Sequence, residues 1–175
     1  MQFGTFLSIL GACGLALTAP TPGELFARAN TTPVSCGPSS DQRAYPLETV
    51  QEAFAALQLY GNKPKPSQPK AGTRAYPQQY GNNQGVPSDP DVVAALDAIP
   101  ECKTAQSGYK YFEYPLADPM WAGGAERSQG PDRVIAIAQN AGQGGTRSYT
   151  YCLSITHRGG TSDSDPSFRA CSSAP

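Results

Sequence analysis

Between Pro46 and Tyr60 the apolar residues Leu47, Val50, Phe54 and Leu57 recur at three- and four-residue spacing. That period lays them along one stripe of a helix. Glu48 and Glu52 fall in its first turns and Gly61 follows its end, where helices favour acidic residues and a glycine stop respectively. A shorter helix is expected over Asp91–Ile99, where Val92, Val93, Ala95 and Leu96 precede Pro100. Most of the remaining pattern is different: short aromatic and β-branched runs separated by Gly, Pro, Asn and Asp, which predict strands at Thr73–Tyr76, Gly108–Tyr114, Arg133–Ala138 and Ser148–His157. The glycine-rich stretch Asn140–Thr146 links the last two as a hairpin. A helix followed by several strands, with no internal repeat, predicts a single α+β domain.

The two ends of the chain modify this picture. Residues 1–19 hold an uncharged apolar run from Phe3 to Leu17 that stops at Thr18-Ala19 before Pro20, the pattern of a secretory signal peptide. The run is shorter than the roughly 20 residues that a bilayer span needs, so no membrane anchor is expected. Residues 20–35 lack a period and read as a flexible leader or pro-segment, with a sequon at Asn30-Thr31-Thr32. The folded domain is expected over residues 36–175. Once Cys13 leaves with the signal segment, Cys36, Cys102, Cys152 and Cys171 remain, an even set bound for an oxidising compartment. Two disulfides are expected, and spacing alone leaves about three pairings open. A zinc site is disfavoured because the chain has one histidine and no C-x-x-C pair. The formal net charge of -1 provides no broad field for nucleic acid, so any attraction to RNA must be local to a cleft. The basic, proline-rich stretch Asn62–Ala71 reads as a solvated linker.

Alternation in the strand around residue 113 sends Tyr109, Tyr111 and Glu113 to one face and Phe112 and Tyr114 to the other. With Phe112 and Tyr114 in the core, Glu113 is expected on the open face. A lone strand carboxylate is ordinarily a solvated residue, Arg133 could be a strand-end cation, and His157 alone would more often be structural. Their contexts change that weighting: Ala75-Tyr76-Pro77-Gln78-Gln79-Tyr80 and Gly81-Asn82-Asn83-Gln84-Gly85, then Tyr111-Phe112-Glu113-Tyr114-Pro115, Asp132-Arg133-Val134-Ile135 and Ile155-Thr156-His157-Arg158-Gly159. In this order, from about Cys36 to Cys171, the chain resembles the guanyl-specific ribonucleases of filamentous fungi, relatives of barnase and the ribotoxins. The resemblance implies one main helix packed on a twisted antiparallel sheet of about four to five strands, with bridges Cys36–Cys171 and Cys102–Cys152. It implies RNA cleavage with Glu113 as base, Arg133 as phosphate clamp, His157 as acid and Tyr76 as a hydroxyl donor on the cleft wall. Phe168 would pack beside the phosphate, and Tyr80, Asn82, Asn83 and Gln84 would belong to the loop that binds guanine.

The chemistry agrees with these assignments. Transesterification of RNA needs a base for the 2′-hydroxyl, an acid for the 5′-oxygen and positive charge at the phosphorane. A single histidine rules out a two-histidine acid–base pair. No cofactor or metal is implied, RNA is the expected partner, and a monomer is the default at this size. Three positions depart from the family pattern. Gln78 stands where fungal relatives carry a histidine that assists the base; Gln84 replaces the glutamate that accepts two guanine hydrogens; and Asn83 replaces an aromatic. These changes weaken the expected guanine preference. They also support an alternative, a ribonuclease-like effector that binds RNA or a host protein. A ribotoxin role ranks lower because the chain lacks strong positive charge, and an unrelated cysteine-stapled binding module would pair its cysteines differently.

Overall fold

The computed structural model describes residues 31–81, 87–104, 108–125, 127–139, 145–159 and 167–174. The residues up to Asn30, which include the expected signal segment and the sequon asparagine, lie outside this set, as do Asn82, Asn83 and Gln84. The periodic stretch forms helix α1, Leu47–Gly61, and buries Val50, Phe54 and Leu57 along the anticipated stripe. Full burial of such a side chain contributes about 1.5–3 kcal/mol. The shorter helix, α2, spans Pro90–Asp97, with Pro90 at its first turn where a missing N–H costs nothing.

The main sheet has five antiparallel strands in the order β5 (Gln78–Gln79), β6 (Tyr109–Pro115), β7 (Asp132–Gln139), β8 (Tyr149–Thr156) and β9 (Arg169–Ala170). Strands β7 and β8 form the expected hairpin. Two small sheets flank it. Strand β1 (Val34–Cys36) lies between β2 (Arg43–Tyr45) and β10 (Ser172–Ser173), and β3 (Lys70–Ala71) pairs with β4 (Arg74–Ala75). Disulfides join Cys36 to Cys171 and Cys102 to Cys152, the pairing implied by the family resemblance. Two sequence-based expectations are corrected. The run at Thr73–Tyr76 belongs to the separate β3–β4 ribbon, and the edge of the main sheet is the later pair Gln78–Gln79. The pairing at the N-terminal side begins at Val34, which is buried, so the fold includes residues just ahead of Cys36.

The sheet has two covered faces. Phe112 and Tyr114 of β6, Val134, Ala136 and Ala138 of β7, and Tyr149 and Tyr151 of β8 join the cluster around α1. Tyr111, Ile135, Ile137, Leu153 and Ile155 join a second cluster with Val92 and Leu96 of α2. Strict alternation would put Tyr151 and Leu153 on one side. The β7–β8 register instead slips between Ile135↔Leu153 and Ala136↔Tyr151, leaving Cys152 as a bulge. That one extra residue reverses the parity of β8, so its first half faces α1 while its second half and the following His157 face the other way.

At the start of β7, Asp132 is fully buried among donors. Its carboxylate accepts from the Tyr45 hydroxyl at 2.6 Å, the Thr156 hydroxyl at 2.5 Å and Arg158 Nε at 3.0 Å, and Arg158 also reaches the exposed Asp41 at 2.8 Å. Removing one member of a buried ion pair leaves the other charge uncompensated, whereas an exposed pair contributes little. Asp132→Asn should therefore lower the unfolding free energy by about 3–5 kcal/mol and Asp41→Asn by less than about 1 kcal/mol. Urea denaturation at neutral pH measures both.

Candidate active site

Glu113 is centred in β6, opposite Gln78 of the edge strand on one side and Ile135 of β7 on the other. The expectation that it lies on an open face is corrected: Glu113 is only 5% exposed, with Gln78 and the Arg133 guanidinium beside it. Its Oε1 accepts a hydrogen bond from Gln78 Nε2, and its Oε2 is buried with no partner. Burial raises its pKa above the ordinary 4.5, against the opposing pull of the Arg133 charge, the Gln78 hydrogen bond and the Arg74 charge. The result is a carboxylate with one oxygen held in place and one free to accept a proton.

Arg133 follows Asp132 in β7 and therefore points to the opposite side, toward the Glu113 face. It is 4% exposed. Its Nη1 donates to the carbonyls of Gln129, Gly130 and Asp132 at 3.2, 2.7 and 2.8 Å, while Nε is buried without a partner. Gly130 adopts a φ of 65°, a left-handed turn conformation that lets two successive carbonyls converge on one guanidinium nitrogen. The plane of the guanidinium is thus set from one end. Neither Glu113 nor Arg133 takes part in an ion pair among the described residues.

Tyr76 is buried between Trp121 and Tyr114, edge-on to both at 5.2 and 6.4 Å, and its ring centroid lies 5.8 Å from Arg133 Cζ. Gln78 Nε2 also donates to its hydroxyl at 3.3 Å, so a single amide links Tyr76 to Glu113. Burial raises the Tyr76 pKa, with Arg133 pulling the other way. The hydroxyl stays protonated at neutral pH.

His157 directly follows β8, its backbone N–H bonded to the Pro131 carbonyl at 3.1 Å. Its Nδ1 lies 3.2 Å from the Ser167 carbonyl, and its ring rests on Phe168 with centroids 3.5 Å apart. A carbonyl can only accept, so Nδ1 carries hydrogen and Nε2 is the ring atom whose protonation can change. Phe168 is fixed from below by its backbone N–H to Asp89 at 3.2 Å and by the edge of Tyr80 at 5.5 Å. Glu113, Arg133 and His157 thus come from three neighbouring strands on one face, with Arg133 between the other two.

Tyr80 is placed differently from a base-stacking residue: it is 4% exposed beneath Phe168, and its hydroxyl donates to Asp89 at 2.8 Å. Two groups had no assigned role in the sequence. Asp89 occupies the position before α2 where an aspartate ordinarily caps the helix, yet its side chain makes no cap bond and instead ties Tyr80 to Phe168. Its position ahead of Pro90 marks a helix start but carries no sign of this use. Arg74 is exposed beside the cleft, and its charge bears on both Glu113 and Tyr76.

The family model described as ribonuclease matches residues 33–172. No curated protein and no solved structure matches the chain. The matched region takes in every residue placed on this cleft, and the chain belongs to the ribonuclease family, that of the microbial guanyl-specific enzymes.

Proposed function

We propose that the protein is a secreted endoribonuclease that cleaves single-stranded RNA by metal-independent transesterification. The observation that carries the reading is the pairing of a buried, proton-accepting Glu113 Oε2 with a neighbouring Arg133 whose Nε lacks a protein acceptor. In the first step Glu113 removes the proton from the 2′-hydroxyl, and the 2′-oxygen attacks phosphorus. Arg133 and the Tyr76 hydroxyl bear the charge that develops on the phosphorane oxygens. His157, protonated on Nε2, gives its proton to the departing 5′-oxygen, leaving a 2′,3′-cyclic phosphate. In the second step water reverses the roles: His157 takes its proton and Glu113 returns one to the 2′-oxygen. Phe168 supports the imidazole and stands beside the phosphate. Acid, base and cation all come from side chains, so the chemistry asks for no metal.

Gln84 and Asn83 support a weakened guanine preference, since a glutamine offers one acceptor where the family glutamate offers two. Secretion is supported by the two disulfides and by the apolar run over residues 1–19. A monomer is the simplest state for this fold.

Replacing Glu113 by Gln or His157 by Ala should lower kcat on RNA by about 10²–10⁴-fold with EDTA present throughout, and the wild type should leave cyclic phosphate ends. Dinucleoside phosphates that vary the base 5′ to the cleaved bond rank the base preference. A folded wild type that cleaves no faster than these variants would overturn the catalytic reading in favour of a binding function.

Glu113 also yields a stability prediction. A carboxyl whose folded pKa is raised contributes stability that is complete below its unfolded value and is lost as pH rises through the folded one. Glu113→Gln should therefore raise the melting temperature at pH 8 and change it little at pH 4, as calorimetry at the two values would show.

The acid limb of kcat/KM reports the same group. Gln78→Leu removes a hydrogen bond that favours the carboxylate and should move that limb to higher pH, while Gln78→His, where the imidazole is charged, should move it to lower pH. A pH–rate series from pH 4 to about 9 separates the two directions.

A further inference from the structure

A groove of about 610 Å³ lies at the β5 edge, toward the α1 side of the sheet. Lys63, Lys65 and Arg147 line it together with Phe112, Tyr149 and Gln78, and among the described residues no aspartate or glutamate does. Gln79, which pairs with Phe112, faces this side; Gln78, which pairs with Glu113, spans the edge between the groove and the cleft.

The three cations are not neutralised, and two of them are positioned. Among the described residues none of them is in an ion pair. Lys63 Nζ stands 5.0 Å from the Tyr60 ring centroid, and Arg147 Cζ 5.1 Å from that of Phe112. The Asn62 side chain clamps Arg147 from both sides, donating to its carbonyl at 3.0 Å and accepting its N–H at 2.8 Å. Gln68 Nε2 donates to the carbonyls of Tyr60 and Lys63 at 3.0 and 3.1 Å, which satisfies the negative end of α1 where it would otherwise oppose an anion.

Tyr149 is 6% exposed on the groove wall; its hydroxyl and Arg147 Nε make no hydrogen bond of ordinary geometry, and the Arg147 guanidinium beside it opposes the rise that burial gives the Tyr149 pKa. Tyr149 rests directly on Gly61, where any side chain would collide with its hydroxyl. An entering oxyanion would give such buried donors an acceptor. In a chain of net charge -1, this is a local concentration of positive charge over buried aromatic rings. It suits a phosphodiester chain, which presents a row of oxyanions.

We propose that this groove is a second phosphate subsite, which holds the backbone of the RNA strand beyond the scissile step as it passes over the β5 edge. The proposal rests on the ribonuclease reading, since Gln78 is the point at which the strand leaves the catalytic cleft. The subsite acts on long substrates and is silent on short ones. A dinucleoside phosphate carries only the scissile phosphate, which the cleft holds, and has none left for the groove.

The test compares wild type with Lys63→Gln/Lys65→Gln and with Arg147→Gln, each checked for an unchanged thermal transition, on a dinucleoside phosphate and on a 12-nucleotide single-stranded RNA with the same scissile step. The double variant should lose about tenfold in kcat/KM on the 12-mer and less than about twofold on the dinucleotide. Its slope of log kcat/KM against log salt on the 12-mer should be smaller by about 1.4, or about 0.7 per lost phosphate contact. Equal losses on both substrates, or no loss on the 12-mer, would refute the subsite. Should wild type fail to cleave at all, binding of a fluorescent 2′-O-methyl 12-mer takes the place of rate. Weaker binding by the variants then upholds the groove without the catalysis, and unchanged binding removes it.

Discussion

The strand ends that carry the candidate site are tied together by one buried carboxylate. Asp132 lies inside the protein, and Tyr45, Thr156 and Arg158 all donate to it. Desolvating a carboxylate costs several kcal/mol, and the donors offset that only when they are in place together. The network therefore couples β2, the start of β7 and the end of β8 into one unit. Arg133 is the next residue along β7 and His157 the next after Thr156. Alternation sends Asp132 to the α1 side and Arg133 to the cleft, so the group that locks the strand ends is adjacent in sequence to the groups those ends present.

The two sides of the sheet divide the labour. The α1 side supplies most of the aromatic core, and Tyr76 joins it through Tyr114 and Trp121 while its hydroxyl reaches Gln78. Among the described residues the other side is apolar around α2 and polar where Glu113, Arg133 and His157 lie. Burial keeps the Glu113 pKa up, and the carbonyls at Gln129 and Gly130 fix the Arg133 plane. The face is covered where packing is needed and left polar where charge must move.

Much of this was legible in the chain. The stripe of Val50, Phe54 and Leu57 predicted α1, the aromatic runs predicted the three long strands, and the ordered motifs led to the fold, the disulfide pairing and the family. Other features lay beyond local pattern. The bulge at Cys152 separates Tyr151 from Leu153, and no residue type announces it; strict alternation would have put Tyr149 and His157 on one face. The burial of Glu113 follows from neighbours distant in sequence, Gln78 and Arg133 among them, on a face that one strand's alternation marks only as different from Phe112. Strands such as Gln78–Gln79 and Arg169–Ala170 have two residues each, too short for any period. The basic stretch Asn62–Ala71 reads as a linker until Asn62 is seen to clamp Arg147, a residue 85 positions away.

Gln78 joins these levels. A histidine there would add positive charge beside Glu113 whenever it was protonated, and would hold the carboxylate charged at lower pH. An amide contributes one hydrogen bond and no net charge, leaving Arg133 and Arg74 as the cations acting on Glu113. Burial then prevails and the pKa stays raised. A base with a raised pKa is a stronger proton acceptor once it is ionised. On the proposed mechanism, glutamine at this position exchanges electrostatic assistance for basicity and moves the working range of the cleft away from acid. The same amide donates to the Tyr76 hydroxyl and so holds the carboxylate and the hydroxyl on one scaffold.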